Sequence, residues 1–265
     1  MCPRDTSSYK SRFLERAALT FDCGITLDLE QTDGEQSAEE NMQSAVWDGA
    51  INLATAMQDL EVFPSGYWHG KRVLECGAGC GCTGIMAARL GAHAVFLTDL
   101  KPLLPLLHRN AKHNGVADVA CVRELEWGSE IGEAFGPTDV ILGAEITCFV
   151  QTLQDLAHTL RAVASARTEI YLAHRQRGME NFMVEEFSPY FCITALPQSA
   201  STAGNILIYK MQLRADSCLE ETSGSEFATD SPAPSIADGE AHVPQDVVAR
   251  AARGDIAALK ALIRR

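Results

Sequence analysis

The stretch VLECGAGCGCTGIMAARLGA, residues 73–92, decides the fold, because an apolar strand enters a run of glycines that leads into a helical pattern. Starting at Gly79, the loop has the G-x-G-x-x-G spacing typical of a dinucleotide site at a strand-to-helix turn. Starting at Glu75, it is E-x-G-x-G-x-G, with Gly77, Gly79 and Gly81 alternating. Either spacing predicts a backbone that approaches a ligand at a helix N-terminus. The glycines alone leave the cofactor undecided.

Around this loop, apolar runs of strand length alternate with helical patterns. This alternation predicts an α/β fold, a Rossmann-like seven-stranded and mostly parallel sheet with an antiparallel C-terminal hairpin. Helices are predicted over 83–90, 102–114, 153–163 and 180–187. The parallel strands are predicted at 72–75, 93–98, 119–122, 139–143 and 169–173, and the hairpin at 191–196 and 205–213.

The sequence predicts four segments of different character. Residues 1–45 form an N-terminal extension in which 21–29 indicates a β-hairpin, and a helical pattern over 39–60 contains Trp47. Residues 46–213 hold the cofactor-binding domain. Residues 214–246 carry 1 basic and 8 acidic side chains and few large apolar ones, which predicts a disordered acidic linker. Residues 247–265 carry 5 basic side chains and 1 acidic one in an amphipathic helical pattern.

Charge and composition narrow the class of partner. The formal net charge of -13 repels phosphate backbones, so we expect no nucleic-acid binding, whereas a lysine-bearing substrate would be attracted. No apolar run reaches the length of a membrane span, and we expect no membrane partner. The nine cysteines match no disulfide or zinc framework, and His108 and His113 share no helix face, so no metal site is expected. We expect an intracellular protein, cytoplasmic or alternatively nuclear.

The acidic residue before the glycines favours one cofactor over the other. Glu75 lies two residues before the first glycine of the loop. A pyrophosphate against this turn would be repelled by a carboxylate at the strand end, whereas an ammonium or sulfonium group would be attracted. The charge of Glu75 therefore predicts a positively charged ligand rather than a dinucleotide.

At this point the chain resembles the seven-β-strand S-adenosylmethionine-dependent methyltransferases, and within them the methyltransferase family 16 group of protein-lysine methyltransferases. The resemblance covers about residues 20–213 and makes 46–213 a methyltransferase domain. It implies S-adenosyl-L-methionine as cofactor and a lysine side chain of an intracellular protein as methyl acceptor. It rests on five stretches taken together, VWDGA at 46–50, VLECGAGCG at 73–81, LTDL at 97–100, ELEWG at 124–128 and DVILGAEITC at 139–148.

Several further residues are candidates for cofactor binding. Asp99 ends the second predicted strand, where a carboxylate can accept hydrogen bonds from both hydroxyls of a ribose. The resemblance implies that Trp127 lies against the adenine, with a loop-capping indole as the alternative. It also implies a cofactor contact for Trp47, although a tryptophan in a helix usually serves packing. The same resemblance implies that Glu75 lies near the methionine portion.

The candidate catalytic residues lie at the end of the fourth predicted strand. Ligands of open α/β sheets lie beyond the carboxyl ends of the strands, which places Ala144 and Glu145 at the site. The family generally has Asp-x-x-Tyr here, whereas this chain has Glu145-Ile-Thr-Cys148. Glu145 keeps a carboxylate that can orient or neutralise a lysine ammonium. The thiol of Cys148 cannot wall an aliphatic lysine stem as a phenol does, which puts substrate and rate in doubt more than cofactor binding.

Two alternatives to the enzyme stay open, and so does the role of the tail. With Cys148 at the tyrosine position, the domain could bind cofactor and serve as an inactive interaction module, and an NAD-dependent oxidoreductase is the third hypothesis.

Residues 247–265, VVARAARGDIAALKALIRR, resemble the first repeat of an ankyrin array, with a lone amphipathic helix as the alternative. A single repeat cannot bury its own face, so a protein partner for these helices is expected.

Overall fold

The computed structural model describes residues 15–31, 44–131, 134–178, 180–197 and 205–215. The predictions for the acidic linker, apart from its first two residues, and for the ankyrin-like tail lie outside the described residues. No helix of the described part is long and apolar enough to cross a membrane.

The described residues form nine strands and five α-helices, and two short 3-10 turns, Lys101–Leu103 and Val150–Thr152, precede helices α3 and α4. In chain order the elements are β1 (Arg16–Thr20), β2 (Thr26–Glu30), α1 (Asp48–Ala56), β3 (Arg72–Cys76), α2 (Cys82–Arg89), β4 (Ala94–Asp99), α3 (Leu104–His113), β5 (Ala120–Glu124), β6 (Val140–Ala144), α4 (Leu153–Val163), β7 (Glu169–Arg175), α5 (Glu180–Phe187), β8 (Phe191–Ala195) and β9 (Ile206–Leu213).

Seven strands form one sheet in the order β5-β4-β3-β6-β7-β9-β8. Strands β3 to β7 are parallel, while β9 is antiparallel to both β7 and β8. The predicted fold class is confirmed. The chain leaves β3 towards β4 and β5 and then returns to β6 on the other side, so the carboxyl ends of β3, β4 and β6 border a crevice.

Both faces of the central sheet are covered, which explains the continuous apolar runs of its strands. Alternating residues of β3 enter two different cores, with Val73 in one and Leu74 in the other. The first core lies under α1, α2 and α3, and includes Leu107. The second lies under α4 and α5, and includes Leu156 and Phe187. All five side chains are fully buried, so the sheet is rigid where its strands end at the crevice.

An N-terminal hairpin of β1 and β2 packs beside helix α3. The range 21–29 that indicated a hairpin contains its turn and second strand, and the first strand lies upstream of it. Two asparagines of α3 bind the edge of β2 as another strand would. Asn110 bonds both the N–H and the C=O of Glu30, at 2.8 and 2.9 Å, and Asn114 does the same to Asp28, both at 2.9 Å.

Residues 39–43 of the helix predicted over 39–60 lie outside the described residues, and in the rest of that range the helix is shorter than its pattern indicated. Helix α1 begins at Asp48, and Trp47 precedes it with an extended backbone, φ -84° and ψ 154°. The prediction that Trp47 lies inside a helix is therefore wrong. The N–H groups of Ala50 and Ile51 bond to the carbonyl of Trp47, so this residue opens the helix. Trp47 stands at the helix start and is half-buried.

Candidate cofactor and methyl-acceptor site

The glycine loop after β3 has a backbone that side chains would obstruct. Gly77, Gly79 and Gly81 have φ values of 60°, 54° and 80°, a region that L-residues rarely adopt. A Cβ on Gly77 would lie 2.7 Å from Cγ2 of Ile146 and 3.2 Å from Cζ2 of Trp127. The missing side chain of Gly77 thus keeps the loop close to Trp127, for which the family resemblance implies a contact with adenine.

Glu75 is buried beneath this loop, and its carboxylate binds the N-terminus of α2. One oxygen accepts hydrogen bonds from the N–H of Thr83 at 3.2 Å and from the Thr83 hydroxyl, and the other accepts the N–H of Gly84 at 2.9 Å. Burial raises the pKa of the Glu75 carboxyl to about 7, against the effect of these hydrogen bonds. A negative group at a helix N-terminus is stabilised by the helix dipole.

The physical reason given for Glu75 from the sequence has to be revised. Its charge was expected to attract a positively charged ligand, but both carboxylate oxygens bind backbone or hydroxyl groups of this chain. The carboxylate therefore fixes the end of the loop against the helix. A direct contact between Glu75 and a cofactor stays a prediction.

Asp99, the last residue of β4, holds the middle of the loop. Its Oδ2 accepts the N–H of Gly79 at 2.7 Å, and its Oδ1 accepts the N–H of Leu100 at 2.8 Å. Burial raises the pKa of the Asp99 carboxyl above its ordinary value, and the two N–H groups oppose that shift. Each carboxylate oxygen can accept more than one hydrogen bond, so these contacts leave room for the hydroxyls of a ribose.

The structure brings most of the predicted cofactor residues to the same edge of the sheet. Trp127 is half-buried and contacts the apolar core below α4 and α5. Ala144 is the last residue of β6 rather than the first beyond it, and it is half-buried. The segment that contains Trp47 reaches the loop through Ser44, whose carbonyl accepts a hydrogen bond from the Cys80 thiol. The individual cofactor contacts of these side chains stay predictions.

Glu145 follows β6 in an unusual backbone conformation. Among the described residues it alone has a positive φ, 59°, without being glycine. Left-handed backbone costs an ordinary residue about 1 kcal/mol or more and persists where the surroundings enforce it. Here the N–H of Glu145 bonds the carbonyl of Ala173 at 2.8 Å, and Gly49 leaves the space that the side chain fills. A Cβ on Gly49 would lie 2.6 Å from Cγ of Glu145.

The carboxylate of Glu145 lies in an ion-pair cluster, which we define as Asp48, Glu145, Arg175 and Arg177. Nη2 of Arg177 donates to Oε2 of Glu145 at 2.9 Å, and Nε of Arg175 lies 3.6 Å from Oε1. Arg175 also donates to Asp48 at the start of α1. The two carboxylate side chains are 4% and 5% exposed and thus shielded from water, whereas the arginine side chains are 30% and 29% exposed. Its four formal charges cancel.

The two arginines of the cluster pair with acids of this chain. Arg175 is the last residue of β7 and pairs with Asp48, whereas Arg177 lies in the exposed loop after β7 and pairs with Glu145. Arg175 pairs with an acid 127 positions away in the sequence. The sequence did contain a signal for these ion pairs. Two arginines lie at the end of a strand that reaches the crevice, and two acidic residues were expected at the same edge.

Cys148 is half-buried beside the cluster, in the position of the family tyrosine. Burial raises the pKa of its thiol, the charge of Glu145 acts in the same direction, and Arg177 opposes it. Next to it, Thr147 is buried with its hydroxyl 2.6 Å from Nδ1 of His174. No group of three or more His, Cys, Asp or Glu side chains in the described segments is arranged to hold a metal.

The comparisons with known proteins decide what this crevice belongs to. A family model described as lysine methyltransferase matches residues 26–188, more than half of the chain. The chain belongs to the lysine methyltransferase family. It is 30% identical over 219 residues to the "EEF1A lysine methyltransferase 3" of Mus musculus, covering 80% of this chain and 88% of the relative.

A second relative agrees with this family, and a solved structure agrees with the fold. The chain is 38% identical over 148 residues to the "Protein N-lysine methyltransferase METTL21A" of Danio rerio, which covers 54% of this chain and 66% of the relative. In fold it is similar to the 16S rRNA N2 G1207 methyltransferase of T. thermophilus, solved with AdoMet and guanosine. That likeness has a TM-score of 0.52 at 17% identity and covers 75% of this chain and 50% of the other. It concerns the fold alone.

The cofactor of this lysine methyltransferase family member is S-adenosyl-L-methionine, and the residues of the crevice fit it. Gly77, Gly79 and Gly81, all with a positive φ, form a backbone without side chains between β3 and α2, which we call the glycine cradle. Asp99 is at the position suited to a ribose, and Trp127 borders the cradle. When bound, this cofactor supplies an electrophilic methyl group on a sulfonium. The family match, rather than the charge of Glu75, favours this cofactor over a dinucleotide.

Proposed function

We propose that this lysine methyltransferase family member transfers a methyl group to a lysine side chain of an intracellular protein. The observation that carries the proposal is the position of Glu145, a carboxylate at the carboxyl end of β6, beside the glycine cradle. Ile146 links the two places, because its Cγ2 would lie 2.7 Å from a Cβ on Gly77. A methyl acceptor at Glu145 is thus adjacent to the cofactor cradle.

The roles of the residues follow from their contacts. The glycine loop and Asp99 hold the cofactor, and Trp127 provides an apolar face for its base. Ala144 and Glu145 border the acceptor amine. Methyl transfer requires mostly an amine placed in line with the methyl group and free of its proton. The acidic surface, with a net charge of -13, favours encounter with a basic protein segment.

EEF1A is the first substrate to test, because one relative is named for it. The purified protein is incubated with tritiated S-adenosylmethionine and either EEF1A or a cell extract, and labelled protein is hydrolysed to identify methyl-lysine. We expect a labelled band whose label is recovered as methyl-lysine.

The matched variants are Asp99→Asn and Asp118→Asn. The first weakens the acceptor for ribose hydroxyls and the loop contact to Gly79, so we expect the label to fall at least tenfold. The second changes an exposed aspartate and should leave the label unchanged. Binding of S-adenosylhomocysteine without label in any protein would contradict the proposal and favour an interaction module. Label in another residue type would contradict lysine as the acceptor.

A further inference from the structure

The ion-pair cluster poses a chemical question for the proposed function. A lysine accepts a methyl group only through the lone pair of its neutral amine. The ordinary pKa of a lysine is about 10.4, and a nearby carboxylate raises it by favouring the ammonium form. Glu145 alone would bind a lysine and also hold it in the unreactive form.

Cationic side chains around Glu145 offset the charge of its carboxylate. Glu145 is only 5% exposed in its side chain, and Arg177 donates to its Oε2 at 2.9 Å. The opposite oxygen, Oε1, is buried and has no hydrogen-bond donor within the described segments, although Arg175 lies 3.6 Å away. One oxygen is thus occupied by a fixed cation, while the other is an acceptor available to a ligand N–H.

We propose that Arg177 is a positioning residue that fixes Glu145 and offsets its charge, so that the acceptor lysine loses its proton more readily. The inference rests on the proposed function. Glu145 then orients the amine through Oε1 by hydrogen bonding, and the positive charge of Arg177 disfavours the ammonium form. In the transfer, the proton leaves the ammonium for solvent before the amine lone pair forms the N–C bond and the sulfonium sulfur keeps the electrons of the broken S–C bond.

The other charged groups facing this position balance each other. Arg175, from β7, pairs with Asp48, from α1, and its Nε also lies 3.6 Å from Oε1 of Glu145. From the loop after β6, the thiol of Cys148 has a pKa raised by burial, which favours its neutral form. His174, on β7, is engaged with the Thr147 hydroxyl at 2.6 Å. Removal of the Arg177 charge therefore has the most direct effect on the net charge of the cluster at the place where the acceptor lysine would bind, which we call the acceptor mouth.

The size of the effect follows from Coulomb's law. A unit charge about 6 Å from the amine, at an effective dielectric constant of about 20, shifts a pKa by about two units. The side chain of Arg177 is 29% exposed, and screening by water reduces the expected shift to about one unit.

The test is the pH dependence of lysine methylation by the wild type, Arg177→Gln, Arg177→Lys and the control Arg167→Gln. Rates are measured from pH 7 to pH 10 with saturating S-adenosylmethionine and the protein labelled in the experiment above. We expect Arg177→Gln to be about tenfold slower at pH 8, and the deficit to narrow towards pH 10 as the amine approaches its pKa. Arg177→Lys should show the same dependence of rate on pH as the wild type. The control Arg167→Gln changes an exposed residue before β7 and should have no effect on the rate.

Each other outcome contradicts the inference in a recognisable way. An equal loss at every pH in both Arg177 variants would mean that the arginine only maintains structure. A faster Arg177→Gln enzyme with a lower KM would mean that the arginine blocks the mouth. If the wild type labels no lysine, the proposed function itself fails, and this inference fails with it.

Discussion

Replacing Glu75 by glutamine tests whether the buried carboxyl under the glycine loop titrates near neutral pH. Its pKa is about 7 in the folded protein against an ordinary 4.5, and burial is the main cause. The folded state therefore binds more protons than the unfolded state between these values. The stability from this group is complete below pH 4.5 and is lost as the pH rises to about 7. At about 1.4 kcal/mol per pH unit, the loss is about 3 kcal/mol.

The assay is urea unfolding of the wild type and Glu75→Gln at pH 5 and pH 8, with exposed Glu61→Gln as the control. Glutamine cannot titrate, and it places a donor opposite the N–H of either Thr83 or Gly84, so the variant is expected to be less stable at pH 5. Between pH 5 and pH 8 the difference in the free energy of unfolding should move by about 2 kcal/mol in favour of the variant. A difference constant within about 0.5 kcal/mol would refute the argument that burial dominates at this carboxyl.

Three further substitutions probe the cradle and the acceptor mouth. Gly77→Ala places a Cβ 2.7 Å from Ile146 at a φ of +60°, so calorimetry should find at least tenfold weaker S-adenosylhomocysteine binding, and urea unfolding about 1–3 kcal/mol less stability. Gly49→Ala places a Cβ 2.6 Å from Glu145, so the methylation rate should fall at least tenfold while S-adenosylhomocysteine binding stays within about threefold. Cys148→Tyr restores the family residue, and kcat/KM for the lysine substrate should rise about tenfold; an unchanged value would mean that the phenol is not needed here.

The strands and their order of appearance could be predicted because burial on both faces leaves a direct trace in the sequence. The predicted strand at 139–143 and the observed β6, Val140–Ala144, differ by one residue at each end. Apolar runs mark where a strand is covered but not where its ladder of hydrogen bonds stops. The ladder of β4 continues through Asp99 because it still pairs with Glu124 of β5. This extension places the carboxylate of Asp99 on the last residue of the strand, where its orientation is fixed.

The contacts that assemble the acceptor mouth could not be predicted, because they join distant positions through polar side chains. Nothing in the periodicity around Arg175 indicates an ion pair with Asp48, 127 positions away. Nor does the helical pattern of α3 indicate that Asn110 binds Glu30, 80 positions away. Hydrophobic patterns predict which face of an element is buried, whereas the partner of a buried polar group depends on the completed fold.

The glycine loop shows why an acid precedes the glycines. A run of glycines gives the cofactor room, but it leaves the loop without side chains that could order its own backbone. The neighbouring elements supply that order, since the loop N–H groups at positions 78 and 79 bond to Thr98 and Asp99, and the Cys80 carbonyl bonds to Asn110. Glu75 completes the set by binding the first N–H groups of α2. A loop held at each step in this way is already ordered before the cofactor arrives, so little ordering entropy opposes binding.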